Sequence, residues 1–226
     1  MFIPLRDDNP TSRFPVVTVV LIAVNTAVFL FQATAPHGLE LAALRFGAVP
    51  YAITHFRSLP EAAAFPPLLT LVTSMFLHGS LFHLLGNMLY LWIFGNNIED
   101  RLGPVRFTLF YLVCGVAAAL THILFQPGSR IPMVGASGAI AGVLGAYWVL
   151  FPRARVKTFV FLIFYIDVVA IPAGIILGIW FFLQILNVGM GGGVAWFAHV
   201  GGFLTGILII WLALGRGFRK PSRRES

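Results

Sequence analysis

The sequence predicts an all-α membrane protein: a six-transmembrane-helix bundle with both the N- and C-termini cytoplasmic. Three observations predict it. Of 226 residues, 58% are hydrophobic and only 10% charged, and the mean hydropathy is +0.89; an average soluble domain is about a quarter charged. Six apolar stretches are long enough to span a bilayer. Threaded through a membrane, they leave most basic residues on one side.

In order, the stretches are roughly Pro15–Gln32, Leu81–Asn96, Val105–Gln126, Val134–Phe151, Val168–Leu186 and Val194–Leu214. Residues 1–14 form a short cytoplasmic N-terminus, 15–214 the six-helix domain and 215–226 a basic cytoplasmic tail. Ala33-Thr34-Ala35 has the small-x-small form of a signal cleavage site. The apolar run before it, about 17 residues, exceeds a signal core, and Asp7 and Asp8 oppose a basic n-region. We therefore read it as a retained first helix. The loop at about 35–80 is rich in Pro, Ala, Phe and Leu rather than charge, so it is expected against or partly within the membrane. Loops of that length are often functional. The fifth apolar run begins near Val156 and contains Asp167 and Pro172. Val156–Ile166 reads as an interfacial or re-entrant lead-in, with the helix proper starting beside Asp167.

With the N-terminus inside, Arg6, Arg13, Arg101, Arg106, Arg153, Arg155, Lys157, Arg216, Arg219, Lys220, Arg223 and Arg224 are cytoplasmic. Arg45, Arg57 and Arg130 fall outside. Twelve against three is a strong positive-inside bias. The net charge of +7 then reflects this bias and a basic tail meeting anionic lipid. Charges scattered over separate loops argue against a nucleic-acid partner. The single cysteine, Cys114, excludes an intrachain disulfide.

The stretch Gly135-Ala136-Ser137-Gly138, continuing to Gly142, has two readings. It is a small-residue seam for close helix packing, or Ser137 is a nucleophile whose glycines admit a substrate backbone. Gly138, Gly142 and Gly145 recur at i, i+4 and i+7, and His199 is followed by Gly202 and Gly206 at i+3 and i+7. Two such grooves suggest that helices 4 and 6 pack together, bringing Ser137 near His199. Ser137 precedes the inner end at Phe151 by 14 residues, and His199 precedes Leu214 by 15. At 1.5 Å per residue both lie about 21–23 Å above the inner boundary. His83 and Asn87, four apart on one face at the start of helix 2, lie at a similar level. Polar groups inside a bilayer are costly and default to function.

A serine becomes a nucleophile when a histidine within hydrogen-bond reach takes its proton. The resulting oxyanion needs donors, and the Asn87 amide, a His83 ring N–H and the Ser137 backbone N–H are suitable. No acid lies at that depth, so the arrangement would be a dyad. HExxH is absent, and Asp167 alone cannot supply an aspartyl pair. A metal held by His78, His83 and His199 would lack an acidic or thiolate ligand nearby. No metal is expected. Glu99 and Arg101, in the charged turn after helix 2, read as structural, bonding loop backbone or each other.

At these residues the chain resembles the rhomboid family of intramembrane serine proteases, over nearly its whole length. The resemblance is carried, in family order, by HGSLFHLLGN (His78–Asn87), IEDRLG (Ile98–Gly103), GASG (Gly135–Gly138) and AHVGG (Ala198–Gly202). It implies a six-helix core, a Ser137–His199 dyad and an oxyanion site at His83 and Asn87. It also implies cleavage of single-span membrane proteins within or beside their transmembrane segment, without a cofactor. A multi-pass protein of a bacterial inner membrane is expected. Two departures stand out. No Trp-Arg pair occurs between Ala35 and Ser80 to anchor the loop, and Ala141 stands where many relatives stack an aromatic on the histidine. The rival reading is an inactive relative that binds membrane clients; the presence of both dyad residues argues against it. A small transporter would need polar residues through the full depth or broken helices in paired halves.

Overall fold

The computed structural model describes residues 2–57, 65–162, 165–188 and 194–215. The described part is mostly helical. Three helices are long and apolar enough to cross a membrane: α1 (Val16–Thr34), α5 (Pro104–Phe125) and α8 (Trp196–Gly215). A fourth candidate is α4 (Leu81–Leu102) taken with the turns Pro67–Phe76, from which it bends by 79°. Two further apolar helices, α6 (Ser137–Leu150) and α7 (Ala173–Leu186), have 14 residues each. At 1.5 Å per residue that is about 21 Å, short of a full hydrocarbon thickness. The short helices α2 (Gly38–Phe46) and α3 (Pro50–Thr54) belong to the 35–80 loop. Of the basic tail, residues 216–226 lie outside the described residues.

An all-helical chain is corrected at the end of the bundle remote from Ser137. Three antiparallel strands form a sheet in the order β1 (Phe2–Asp7), β2 (Arg155–Leu162), β3 (Tyr165–Pro172). The described residues of the Val156–Ile166 lead-in, 156–162 and 165–166, are thus β-structure, Asp167 is a strand residue paired with Val160, and the following helix starts only at Ala173. Residues 1–14, read as merely polar, contribute the first strand. The reason lies in side-chain type and alternation. Val156, Thr158 and Val160 face inward and are buried, while Arg155, Lys157 and Phe161 are exposed. Period-two burial of β-branched residues suits a pleated strand.

The charged turn after helix 2 is also corrected: Gly95–Leu102 stays helical, entered through a π-helical turn at Leu91–Gly95. Glu99 there is structural in a specific way. Its carboxylate accepts the backbone N–H groups of Val17 (2.8 Å) and Thr18 (2.7 Å) and the Thr18 hydroxyl (2.8 Å). Those amides have no intrahelical acceptor, and an anion suits the positive end of α1. Arg101 stands half a turn further on in the same helix, half-buried.

The core is built where α4, α5, α6 and α8 meet, around Phe94, Phe107, Tyr111, Leu144, Tyr147 and Phe203. On α1 only Thr18, Leu21, Asn25, Phe29 and Gln32 are buried, a single stripe. The opposite face exposes Val20, Leu30 and Phe31, as α5 exposes Leu109 and Leu124 and α8 exposes Trp211. Apolar faces of this extent need hydrocarbon rather than water around them.

Helices α6 and α8 approach closely enough that their backbones touch. A Cβ at Gly202 would stand 2.1 Å from the Gly138 carbonyl oxygen, and one at Gly206 2.0 Å from that of Gly142. On the far side of α6, a Cβ at Gly142 would meet Cys114 at 2.5 Å. This seam sets the distance between the first turns of the two helices.

Candidate active site

The seam brings Ser137, first residue of α6, against His199 in the first turn of α8. Ser137 Oγ lies 2.8 Å from His199 Nε2. The other ring nitrogen, Nδ1, lies 2.7 Å from Gln184 Oε1 on α7. The orientation of the Gln184 amide follows from its other end, where Nε2 donates to the Trp180 carbonyl at 3.0 Å. An amide oxygen only accepts, so Nδ1 carries the proton and Nε2 is left to accept from the Ser137 hydroxyl.

Aromatic rings enclose this histidine. The Trp180 ring centroid is 5.9 Å from that of His199, tilted by 38°, and Trp196 meets it edge-on at 6.1 Å. Trp180 and Gln184, one turn apart on α7, therefore do what an aromatic at Ala141 would do. Ala141 itself is fully buried in the seam, where Gly202 leaves no room for a ring. Sequence reasoning missed Gln184. The signal was available: it is the amide inside the apolar run Ala173–Leu186, and a polar group in such a run marks a functional candidate.

On the other flank, Ser80 caps α4 by accepting the His83 N–H at 3.1 Å, the side-chain role expected of an N-cap serine. The helix then carries His83 and Asn87 on the face toward Gly135. Gly135 has φ +123, and a Cβ there would lie 2.7 Å from His83 Nε2 and 3.6 Å from Asn87 Nδ2. Only glycine satisfies both the backbone conformation and the space. His78, weighed above only as a metal ligand, is taken up by this group: it is buried, and Asn87 Nδ2 lies 2.9 Å from its Nε2. One N–H of the amide is thereby held and the second is left over.

The loop lacking a Trp-Arg pair is anchored by other means. Ala48 pairs with Met133 as an isolated bridge, Thr73 Oγ1 donates to the Phe46 carbonyl at 2.7 Å, and Gly135 N–H donates to Ser74 O at 2.9 Å. Arg130 lies 4.6 Å over the Tyr51 ring. Ser137, His199, His83, Asn87 and Gly135 all line one cavity of about 550 Å³, which Trp180, Gln184 and Trp196 help to close.

A helical membrane protein with a serine–histidine contact in a walled cavity is what fold and site define. The Rhomboid domain matches residues 67–216, more than half of the chain. The chain is 32% identical over 166 residues to Rhomboid protein 1, mitochondrial, of Saccharomyces cerevisiae, covering 70% of this chain and 45% of that protein. It is 30% identical over 177 residues to Rhomboid protease GluP of Bacillus subtilis, covering 69% and 33%. With Presenilin-associated rhomboid-like protein A, mitochondrial, of Danio rerio it shares 33% over 149 residues, covering 63% and 37%. The chain belongs to the rhomboid family, which includes serine proteases, and it spans less than half the length of these relatives.

Proposed function

We propose that this chain is an intramembrane serine endopeptidase that cuts single-span membrane proteins in or near the outer part of their transmembrane segment. The observation that carries the proposal is the 2.8 Å contact between Ser137 Oγ and His199 Nε2, inside a cavity that also presents Asn87 and His83. His199 Nε2 takes the hydroxyl proton as Oγ bonds to the scissile carbonyl carbon. The imidazolium that forms keeps its Nδ1–H on Gln184. The oxyanion is met by the free N–H of Asn87, by His83 and by the Ser137 backbone N–H at the start of α6. Collapse breaks the C–N bond as His199 returns the proton to the leaving amine. Water, giving a proton to His199 Nε2, then attacks the ester carbon, and the C–Oγ bond breaks as His199 returns that proton to Oγ, releasing the second fragment and restoring Ser137. The two side chains of the dyad and one water balance these steps, which call on no cofactor and no metal.

Six membrane crossings with both termini inside remain our reading. The positive-inside bias supports it, and so does the position of the dyad at the first turns of α6 and α8. The protein is a multi-pass membrane protein; a bacterial inner membrane rests on the sequence expectation alone, since relatives carry mitochondrial names as well as a bacterial one. Cutting near the outer end follows from the depth of the site. A substrate helix must unwind there, and exposed backbone costs several kcal/mol in hydrocarbon unless it is satisfied.

The test is cleavage of a panel of single-span substrates in proteoliposomes. Ser137→Ala and His199→Ala should each abolish turnover while the protein still inserts. Their double variant should be no worse than either, because the two act as one unit. Substantial turnover by either single variant rejects the dyad. Client binding without cleavage by the unaltered protein would favour the inactive-relative reading.

A further inference from the structure

A second cavity of about 590 Å³ lies between α1 and α2, on the lipid side of the bundle. One wall is a single face of α1, with Val24, Val28 and Gln32 at i, i+4 and i+8. The other is a single face of α2, with Gly38, Leu41, Ala42 and Arg45 at i, i+3, i+4 and i+7. Its lips, Phe31 and Leu41, are 79% and 55% exposed.

Arg45, exposed in the last turn of α2, lines the groove. Gln32, 3% exposed, accepts the His78 N–H through Oε1 at 3.3 Å, and its enclosed Nε2 has no hydrogen-bond partner among the described residues. Below it the wall is apolar through Val28 to Val24, about 12 Å along the helix axis. The groove thus offers a cation from the outer loop beside an apolar wall.

We propose that this groove binds one glycerophospholipid of the surrounding bilayer. Its phosphate meets Arg45, and one acyl chain lies along Val28 and Val24. A substrate span is a poorer occupant. The groove shares no lining residue with the Ser137 cavity. The segment Thr73–Leu77 separates them, giving Thr73, Phe76 and Leu77 to the groove and Ser74 and Met75 to the other side.

The experiment uses the full chain carrying Ser137→Ala, so that it reads binding independently of proteolysis. The protein is reconstituted in nanodiscs containing phosphatidylglycerol with a photoactivatable acyl chain, and crosslinks are mapped by mass spectrometry. Crosslinks should concentrate on Val24–Val28 and Leu41–Ala42. Arg45→Glu, an exposed change that leaves the core intact, should lower that yield by roughly tenfold, the loss of one charge-assisted contact. Ala42→Trp, which fills the groove, should remove it. A diacylglycerol probe without phosphate should label the unaltered groove no better than phosphatidylglycerol labels Arg45→Glu. Labelling spread evenly over the lipid-facing helices overturns the proposal, as does a yield indifferent to Arg45→Glu. Preferential labelling by a photoactivatable substrate span, or by a second copy of the chain, overturns it in favour of that occupant.

Discussion

Gln184 holds His199 by its ring: its amide oxygen is 2.7 Å from Nδ1, while its amide nitrogen is tied 3.0 Å from the Trp180 carbonyl. A neutral amide thus selects the histidine tautomer that accepts from Ser137. Gln184→Ala should lower kcat by roughly tenfold, the value of one hydrogen bond that sets the ring's orientation. Gln184→Glu keeps the acceptor and adds a charge that favours imidazolium, so the acid limb of its pH–rate profile should move to higher pH. An unmoved profile with a simple loss of folded protein would make Gln184 structural only.

Asn87→Ala should reduce kcat far more than it alters KM. One oxyanion donor is worth about 10²–10³ in rate elsewhere. His78→Ala should give a smaller loss of the same kind, because it frees the amide rather than removing it. A loss confined to KM in Asn87→Ala would recast Asn87 as a packing residue. His83→Ala is expected to combine lost turnover with lost stability, since the ring fills the space against Gly135.

Gly206→Ala should destabilise the fold by about 1–3 kcal/mol or more, because its Cβ has only the Gly142 backbone to meet. Thermal unfolding in detergent should show it, together with a loss of activity as α6 and α8 move apart. Gly215→Ala, where no atom of the described residues stands within 4 Å of the added carbon, is the control. Equal stability of the two variants would mean the seam yields without cost.

Asp7 couples the N-terminal strand to the serine helix. The Tyr147 hydroxyl donates to its carboxylate at 2.5 Å, and burial pushes the carboxyl up to about 6, the Tyr147 hydrogen bond opposing. The folded state therefore holds this proton more tightly than the unfolded chain does. That contribution is fully present below the ordinary carboxylate range and is lost as pH rises through 6. Between pH 4 and 7 the unfolding midpoint should fall relative to Asp7→Asn, which carries no titrating group. Parallel profiles for the two proteins would count against a protonated Asp7.

The sequence by itself determined the solvent and singled out the polar residues of the candidate site. Long apolar runs admit a bilayer as the favourable environment, and polar residues at Ser137, His199, His83 and Asn87 are too costly there to be incidental. The glycine spacings after Ser137 and His199 were equally legible, since a helix repeats its face every three to four residues. What the tertiary structure alone decided depends on partners far apart in the chain. Strand β1 pairs with β2 across some 150 residues, and hydropathy does not distinguish a strand bonded that way from an apolar lead-in. Glu99 reads as a loop residue until the start of α1, more than 80 residues earlier, is laid against it. The ring that Ala141 does not supply comes instead from Trp180, and the tautomer of His199 from Gln184. Both sit on a helix whose rotation about its own axis is set by packing, and local sequence does not specify that rotation.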